Sequence, residues 1–197
     1  MNRLLIAALL VGSTFALEVQ AQPNTPERIK EIVASPDRTP ADLTNDKRRH
    51  PEDILGFLAI TPGITALDLS AGGGYTTELL ARAIGPDGKV YGQSRPRPAT
   101  PPPAPTNAEG NSNPNVAAAP AAGPPRPSPE ALAARVERMK AAKVAAAPII
   151  AVVQPFEEPV PADLANGKLD LVTLMFNYHD LGFLKVDRDA MNKAVFK

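Results

Sequence analysis

The chain has 197 residues, with 21 Lys and Arg against 21 Asp and Glu, and its formal net charge is zero. A neutral chain lacks the basic surface that binds a phosphate backbone, so we expect no nucleic-acid partner. The absence of cysteine excludes disulfides, thiolate nucleophiles and cysteine-ligated metals. The two histidines lie far apart and no close metal-binding spacing occurs, so we also expect no metal site.

The N-terminus has the pattern of an export signal. Arg3 precedes an apolar run over 4–11, and small residues that a signal peptidase reads end at Ala21. The apolar run is shorter than the ~20 residues needed to span a bilayer. We therefore predict a signal peptide over 1–21, cleavage after Ala21, a periplasmic or secreted protein, and no stable membrane insertion. The alternative is a retained leader with weak membrane attachment inside the cell, and N-terminal sequencing of the mature product distinguishes the two.

Residues 22–49 form a predicted N-terminal helical segment. Pro26 and apolar residues at helical spacing predict a helix over 26–33, followed by a turn over 37–42. The charged residues of 46–49 are interpreted as a solvated face without chemistry.

The pattern of apolar residues and glycines over 50–94 predicts a helix followed by one strand–loop–helix–strand unit. A helix is expected over 50–58, with 54, 55, 57 and 58 on its apolar face. A buried parallel strand over 64–69 leads through three glycines into a helix over 75–84, and a second strand follows over 89–93.

The composition changes abruptly over 95–129, where Pro, Ala, Asn and Gly dominate and no aromatic residue occurs. We predict a disordered insertion, because such a segment buries too little apolar area to offset its chain entropy. The domain resumes over 130–197 with a helix over 129–140, strands over 149–153 and 169–176, and a final helix near Asp187. The sequence thus predicts an α/β fold with a mostly parallel sheet of about four strands and flanking helices.

The glycine loop is the most informative motif. Glycines between a strand and a helix let the backbone approach a ligand, and the helix N-terminus adds free N–H donors, which is typical of a nucleoside-cofactor loop. The dinucleotide fingerprint requires a third glycine where this chain has Thr77, so nicotinamide or flavin binding is disfavoured.

Asp68, Gly72 and Gly74 resemble the first motif of class I S-adenosylmethionine-dependent methyltransferases, with Ser70 in place of that motif's first glycine. The run over 50–82, together with Asn177-Tyr178-His179-Asp180, is similar to an exported subfamily of predicted bacterial methyltransferases. The resemblance implies a Rossmann-like methyltransferase fold. That fold has seven strands, so the chain is expected to hold its N-terminal half and to be truncated at the C-terminus.

The resemblance also implies roles for individual residues. The ribose is expected near Gln93 at the end of the second strand, and the adenine near Phe156 and Glu157 after the third. The segment after the fourth strand is expected to face the transferable methyl group, with His179 and Asp180 as a general base. The implied cofactor-binding residues are Asp68, Ser70, Gly72, Gly73, Gly74, Gln93, Phe156 and Glu157, and the implied catalytic residues are Asn177, Tyr178, His179 and Asp180.

The implied function is methyl transfer from S-adenosylmethionine to an unknown acceptor, an activity that truncation would impair. The alternative is a non-catalytic periplasmic binding or interaction protein that retains the fold, because S-adenosylmethionine is a cytoplasmic metabolite. Asp68 has its own alternative as a helix or turn cap.

Overall fold

The computed structural model describes residues 22–96 and 127–196. The predicted signal peptide and residues 97–126 of the predicted insertion lie outside the described residues. The strands are β1 (Thr65–Asp68), β2 (Lys89–Ser94), β3 (Ile149–Val153) and β4 (Leu171–Thr173). The α-helices of the described part are α1 (Pro26–Val33), α2 (Pro40–Arg49), α3 (Pro51–Leu58), α4 (Tyr75–Ile84), α5 (Ser128–Ala141), α6 (Asp180–Phe183) and α7 (Arg188–Val195).

The four strands form one parallel sheet in the order β3-β2-β1-β4. Leu67 of β1 is in register with Tyr91 of β2 and Val172 of β4. The predicted α/β fold with a parallel sheet of about four strands is confirmed. The chain moves outward from β1 to β3 and then returns to the other side of β1, which places a topological switch point between β1 and β4. Open α/β sheets bind ligands at the carboxyl ends of the strands beside such a point.

Side chains that alternate along the strands supply two cores, one on each face of the sheet. Ala66 and Val90 face a core built with α1, α3 and α4, where Ile29, Leu55 and Leu80 are buried. The opposite core is formed by apolar residues of the strands and of the segments that follow β3 and β4. Its buried members are Leu67, Leu69, Tyr91, Val152, Phe156, Leu164, Leu181 and Met191.

Helix α2 takes the place of the second half of the turn predicted over 37–42. Thr39 is its N-cap: its hydroxyl accepts from the backbone N of Asp42, and the Asp42 carboxylate accepts from the backbone N of Thr39. This reciprocal capping box, with Pro40 in the first turn, starts the helix at a point that lacks an apolar repeat. Helix α2 gives no apolar periodicity in the sequence, because the helix is polar and is held by capping and ion pairs.

Helix α3 begins one residue later than predicted, at Pro51, and has a narrower apolar face than predicted. Leu55 is 3% exposed, whereas Phe57 is 87% exposed. Two residues along an α-helix correspond to a rotation of about 200°, so these two side chains point in nearly opposite directions. The prediction that Phe57 shares the buried face was wrong. The strand predicted over 169–176 is also shorter, since β4 ends at Thr173.

A buried cluster of charges joins α2, α4 and α5. Glu78 of α4 is 1% exposed and accepts hydrogen bonds from Arg82 Nε (3.0 Å), Arg135 Nη1 (2.5 Å) and Arg138 Nη2. Arg135 Nη2 also donates to Asp42 Oδ1 of α2 at 2.8 Å. Buried charges are costly to desolvate, and these multiple charge-assisted bonds offset that cost. The cluster thereby fixes α2 and α5 against the helix that follows the glycine loop.

No helix within 22–96 or 127–196 combines the length and hydropathy needed to cross a membrane.

Glu78→Gln is expected to lower the free energy of unfolding by about 3 kcal/mol, because it leaves buried guanidinium groups without their shared countercharge. Chemical denaturation of the purified variants measures this change. Glu137→Gln is the matched control: Glu137 pairs with Lys140 at the surface, where both side chains are more than two-thirds exposed, and its replacement should have little effect. Equal stability of the two variants would contradict the account of the cluster.

Candidate functional site

A cleft of about 370 Å³ opens at the carboxyl ends of β1 and β4, at the switch point of the sheet. Its volume lies within the roughly 300–1,000 Å³ that small-molecule sites occupy. The glycine loop forms its floor, and α2 and the segment after β4 contribute its walls. The lining residues are Arg48, Arg49, Asp68, Leu69, Ser70, Ala71, Gly72, Gly73, Tyr75, Thr76, Met175, Phe176 and Asn177.

The loop between β1 and α4 reverses through backbone conformations that L-residues rarely adopt. Ser70, Gly72 and Gly74 have φ angles of 59°, 53° and 77°. Glycine takes such angles without steric cost, which explains two of these positions. A Cβ at Gly74 would also lie 2.7 Å from Leu132 Cδ2 of α5, so this glycine is needed for packing as well as for conformation.

Ser70 holds a left-handed conformation at the position where the resemblance expects a glycine. Its backbone N donates to Gln93 Oε1 at 3.0 Å, and its hydroxyl accepts from Asn177 Nδ2 at 2.5 Å. These two bonds stabilise a backbone conformation that is unfavourable for a residue with a Cβ.

Gly73 differs from its neighbours because its φ lies outside the left-handed region. A Cβ built on it would meet nothing within 4 Å. The Gly73 carbonyl oxygen accepts a hydrogen bond of 2.5 Å from Arg135 Nε. Gly73 therefore lines the cleft with backbone atoms that no side chain covers, and Arg135 of α5 fixes its carbonyl group.

Asp68 lies at the end of β1, beneath the loop, and is 2% exposed. Its carboxylate accepts from Thr77 Oγ1 of α4 (2.6 Å) and from Thr173 Oγ1 of β4 (2.9 Å). Burial raises the pKa of Asp68 to about 6, while the two hydroxyls and the nearby charge of Arg49 oppose that rise. Asp68 therefore joins three elements at the base of the cleft.

Gln93, at the predicted ribose position, is fully buried and is not among the residues that line the cleft. Its Oε1 accepts from the Ser70 backbone, and its Nε2 donates to the Gln154 carbonyl at 2.6 Å. In this structure Gln93 ties the glycine loop to the segment after β3. The geometry lends no support to a direct ribose contact.

The two predicted adenine contacts also lie outside the cleft lining. Phe156 is 5% exposed and packs in the core with Leu67 and Tyr91, so its ring has no face free for stacking. Glu157 Oε1 accepts from the backbone N of Asp187 at 3.2 Å, at the start of α7. The adenine roles of Phe156 and Glu157 stay predictions.

Of the four residues predicted as catalytic, Asn177 lines the cleft and the other three do not. Tyr178 is 46% exposed and packs against the guanidinium of Arg188. His179 Nε2 lies 3.2 Å from Asp180 Oδ1, and both side chains are more than half exposed. The catalytic role of these three residues stays a prediction.

Arg49 is the main site residue that the sequence interpretation missed. Its guanidinium carbon lies 5.0 Å from the ring centroid of Tyr75 and 4.7 Å from that of Phe176. The interpretation of 46–49 as a solvated face is wrong here, because Arg49 enters the cleft between two aromatic rings. Asp46 has a role too: it accepts hydrogen bonds from Tyr75 Oη at 2.5 Å and from Arg38 Nη1 at 2.7 Å.

Two polar atoms at the cleft are buried and have no hydrogen-bond partner within the described parts of the chain: Arg49 Nε and Asn177 Oδ1. Buried polar groups are nearly always paired. An unpaired donor and an unpaired acceptor at one cleft are consistent with a ligand that carries both kinds of group.

No protein-family model matches the chain, and no curated protein matches it significantly. One similar solved structure is a SAM-dependent methyltransferase from Aquifex aeolicus, at 17% sequence identity and a TM-score of 0.46. The alignment covers 87% of this chain and 65% of that one.

Thr173→Val is expected to destabilise the protein by about 1–3 kcal/mol, because it removes a hydroxyl donor from a buried carboxylate. The penalty should be larger at pH 8 than at pH 5. The pKa of Asp68 is raised from 3.8 to about 6 in the folded state, so the stability that this group contributes is present below about pH 4 and is lost as pH rises through 6. Removing the Thr173 hydroxyl takes a hydrogen-bond donor away from the ionised Asp68 carboxylate, which raises the pKa of Asp68 further. The loss of stability in Thr173→Val is therefore larger at a pH where Asp68 is ionised.

Urea denaturation at both pH values measures the difference between the variant and the wild type. Thr44→Val is the matched control, because the Thr44 hydroxyl donates to the Pro40 carbonyl at the surface. Its effect should not change with pH, and a pH-independent penalty for Thr173→Val would refute the role given to Asp68.

Proposed function

We propose that the cleft binds S-adenosylmethionine and that the protein transfers its methyl group to an acceptor. The observation that carries this proposal is the glycine loop, which turns from β1 into α4 through left-handed backbone at the switch point of the sheet. Loops of this type accept nucleoside cofactors because the backbone and the helix N-terminus meet the ligand directly.

The residues of the cleft fit such a ligand in size and in charge. Gly73 leaves open space above the loop, and Tyr75 and Thr76 of the first turn of α4 line the same space. Asp68 adds a buried negative charge beneath the loop, which favours a ligand with a sulfonium. Arg49 and Asn177 add polar atoms that need partners.

When bound, the cofactor supplies a methyl group on a positively charged sulfur, and transfer requires alignment of an acceptor behind that methyl group. The chain's contribution is to hold the cofactor and to exclude competing orientations. A proton that leaves an oxygen or nitrogen acceptor also needs a base. We assign that role to His179, with Asp180 beside it at 3.2 Å, because the segment that carries them begins at the cleft with Asn177.

A second candidate is a binding or interaction protein that retains the fold without the reaction. The observation that favours it is the exposure of His179 and Asp180, which lie outside the residues that line the cleft. Export, as the N-terminal pattern predicts, would also favour it. Both candidates keep the same ligand-binding cleft, so ligand binding is the property to test first.

Gly73→Val is expected to abolish binding of S-adenosylmethionine and S-adenosylhomocysteine without unfolding the protein. A Cβ at this position has no heavy atom of a non-neighbouring residue within 4 Å and needs no left-handed backbone, and the branched side chain would narrow the cleft that Gly73 lines. Calorimetric titration of the wild type and the variant measures the loss, and thermal denaturation reports the fold.

Gly56→Val is the control, because a Cβ at Gly56 also meets nothing within 4 Å and this residue of α3 does not line the cleft. It should bind both ligands as the wild type does. A folded wild-type protein that binds neither ligand would overturn the proposal. Binding that survives in Gly73→Val would place the ligand elsewhere.

A further inference from the structure

Arg49 is held in the cleft in a way that leaves its charge available. The rings of Tyr75 and Phe176 lie within 5.0 Å of its guanidinium carbon, and stacking of this kind orients the planar group without neutralising it. Tyr75 is itself fixed, because its hydroxyl donates to Asp46. Burial and the adjacent Asp46 raise the pKa of Tyr75, so the phenol stays protonated and keeps donating.

Asn177 is oriented in the same cleft by one end of its amide. Its Nδ2 donates to the Ser70 hydroxyl, which fixes the position of Oδ1. That oxygen is buried and has no partner in the described residues. An acceptor in this state loses its hydration without compensation until a donor arrives.

These two side chains line the same cleft and present complementary chemistry. A guanidinium binds a carboxylate with two parallel N–H donors, and an amide oxygen accepts from an ammonium group. A free α-amino acid group carries both partners on one carbon.

We propose, on the basis of the function proposed above, that Arg49 and Asn177 form the subsite for the α-amino acid end of the ligand. Arg49 binds the carboxylate, and Asn177 Oδ1 accepts a hydrogen bond from the ammonium group. The nucleoside then extends along the loop. The cleft is thereby selective for a nucleoside thioether that keeps its amino acid over one that has lost it.

The test compares two ligands on each of three proteins by calorimetry. S-adenosylhomocysteine carries the amino acid group, and 5′-methylthioadenosine lacks it. The wild type should bind the first more tightly. Arg49→Met keeps an unbranched apolar stem at this position but removes the guanidinium and its charge, and it should weaken S-adenosylhomocysteine by roughly 10- to 100-fold while leaving 5′-methylthioadenosine within about twofold.

Lys47→Met is the matched control, because it removes one positive charge from an exposed position of the same helix. It should leave both affinities unchanged. Asn177→Leu should also reduce the preference for S-adenosylhomocysteine, and its affinity for 5′-methylthioadenosine reports any displacement of the loop. Decarboxylated S-adenosylhomocysteine lacks the carboxylate but keeps the ammonium group, so it separates the two contacts. Its affinity should be unchanged by Arg49→Met and lowered by Asn177→Leu.

Equal weakening of both ligands by Arg49→Met would show that Arg49 only supports the fold and would overturn the inference. An unchanged preference in Arg49→Met would overturn it too, while the proposed cofactor site would stand. Failure of the folded wild type to bind either nucleoside would overturn the inference and the proposed function together.

Discussion

The buried carboxylate of Asp68 is the constraint on which the site depends. It receives hydroxyl hydrogen bonds from Thr77 of α4 and Thr173 of β4, and so it connects three elements at the point where the sheet reverses its order. A buried carboxylate is stable only with such partners. The loop above it can then take the left-handed turns that Ser70 and Gly72 require, because both of its ends are anchored.

Helices that are distant in sequence also stabilise the loop through hydrogen bonds and ion pairs. Arg135 of α5 donates to the Gly73 carbonyl and to the carboxylates of Glu78 and Asp42. The loop, α2, α4 and α5 therefore share one network of buried charges. The network fixes α2 through Asp42, and the last residue of that helix, Arg49, lines the cleft. A ligand at the loop would contact α2 and α4, whose positions are set by these ion pairs.

The parallel sheet and the glycine loop could be predicted from the sequence, because short apolar runs and glycines between a strand and a helix are local signals. Helix α2 could not, since its stability comes from a capping box and from the ion pairs of Asp42 with Arg135 and Arg138 of α5. The direction of a side chain near the end of a strand or a helix was equally hidden. Gln93 and Phe156 turn into the protein, while Arg49 turns into the cleft, and only the packing of distant elements decides between these outcomes.

Hydrogen exchange on the folded protein, with and without S-adenosylhomocysteine, tests the central claim most directly, because it shows where the ligand lies as well as whether it binds. The account predicts slower exchange of the amides of 70–73, 75–76 and 175–177, which line the cleft. It predicts little change over 150–153 in β3, the outer strand on the far side of β2. Unchanged exchange at the glycine loop, with saturating ligand and an intact fold, would contradict it.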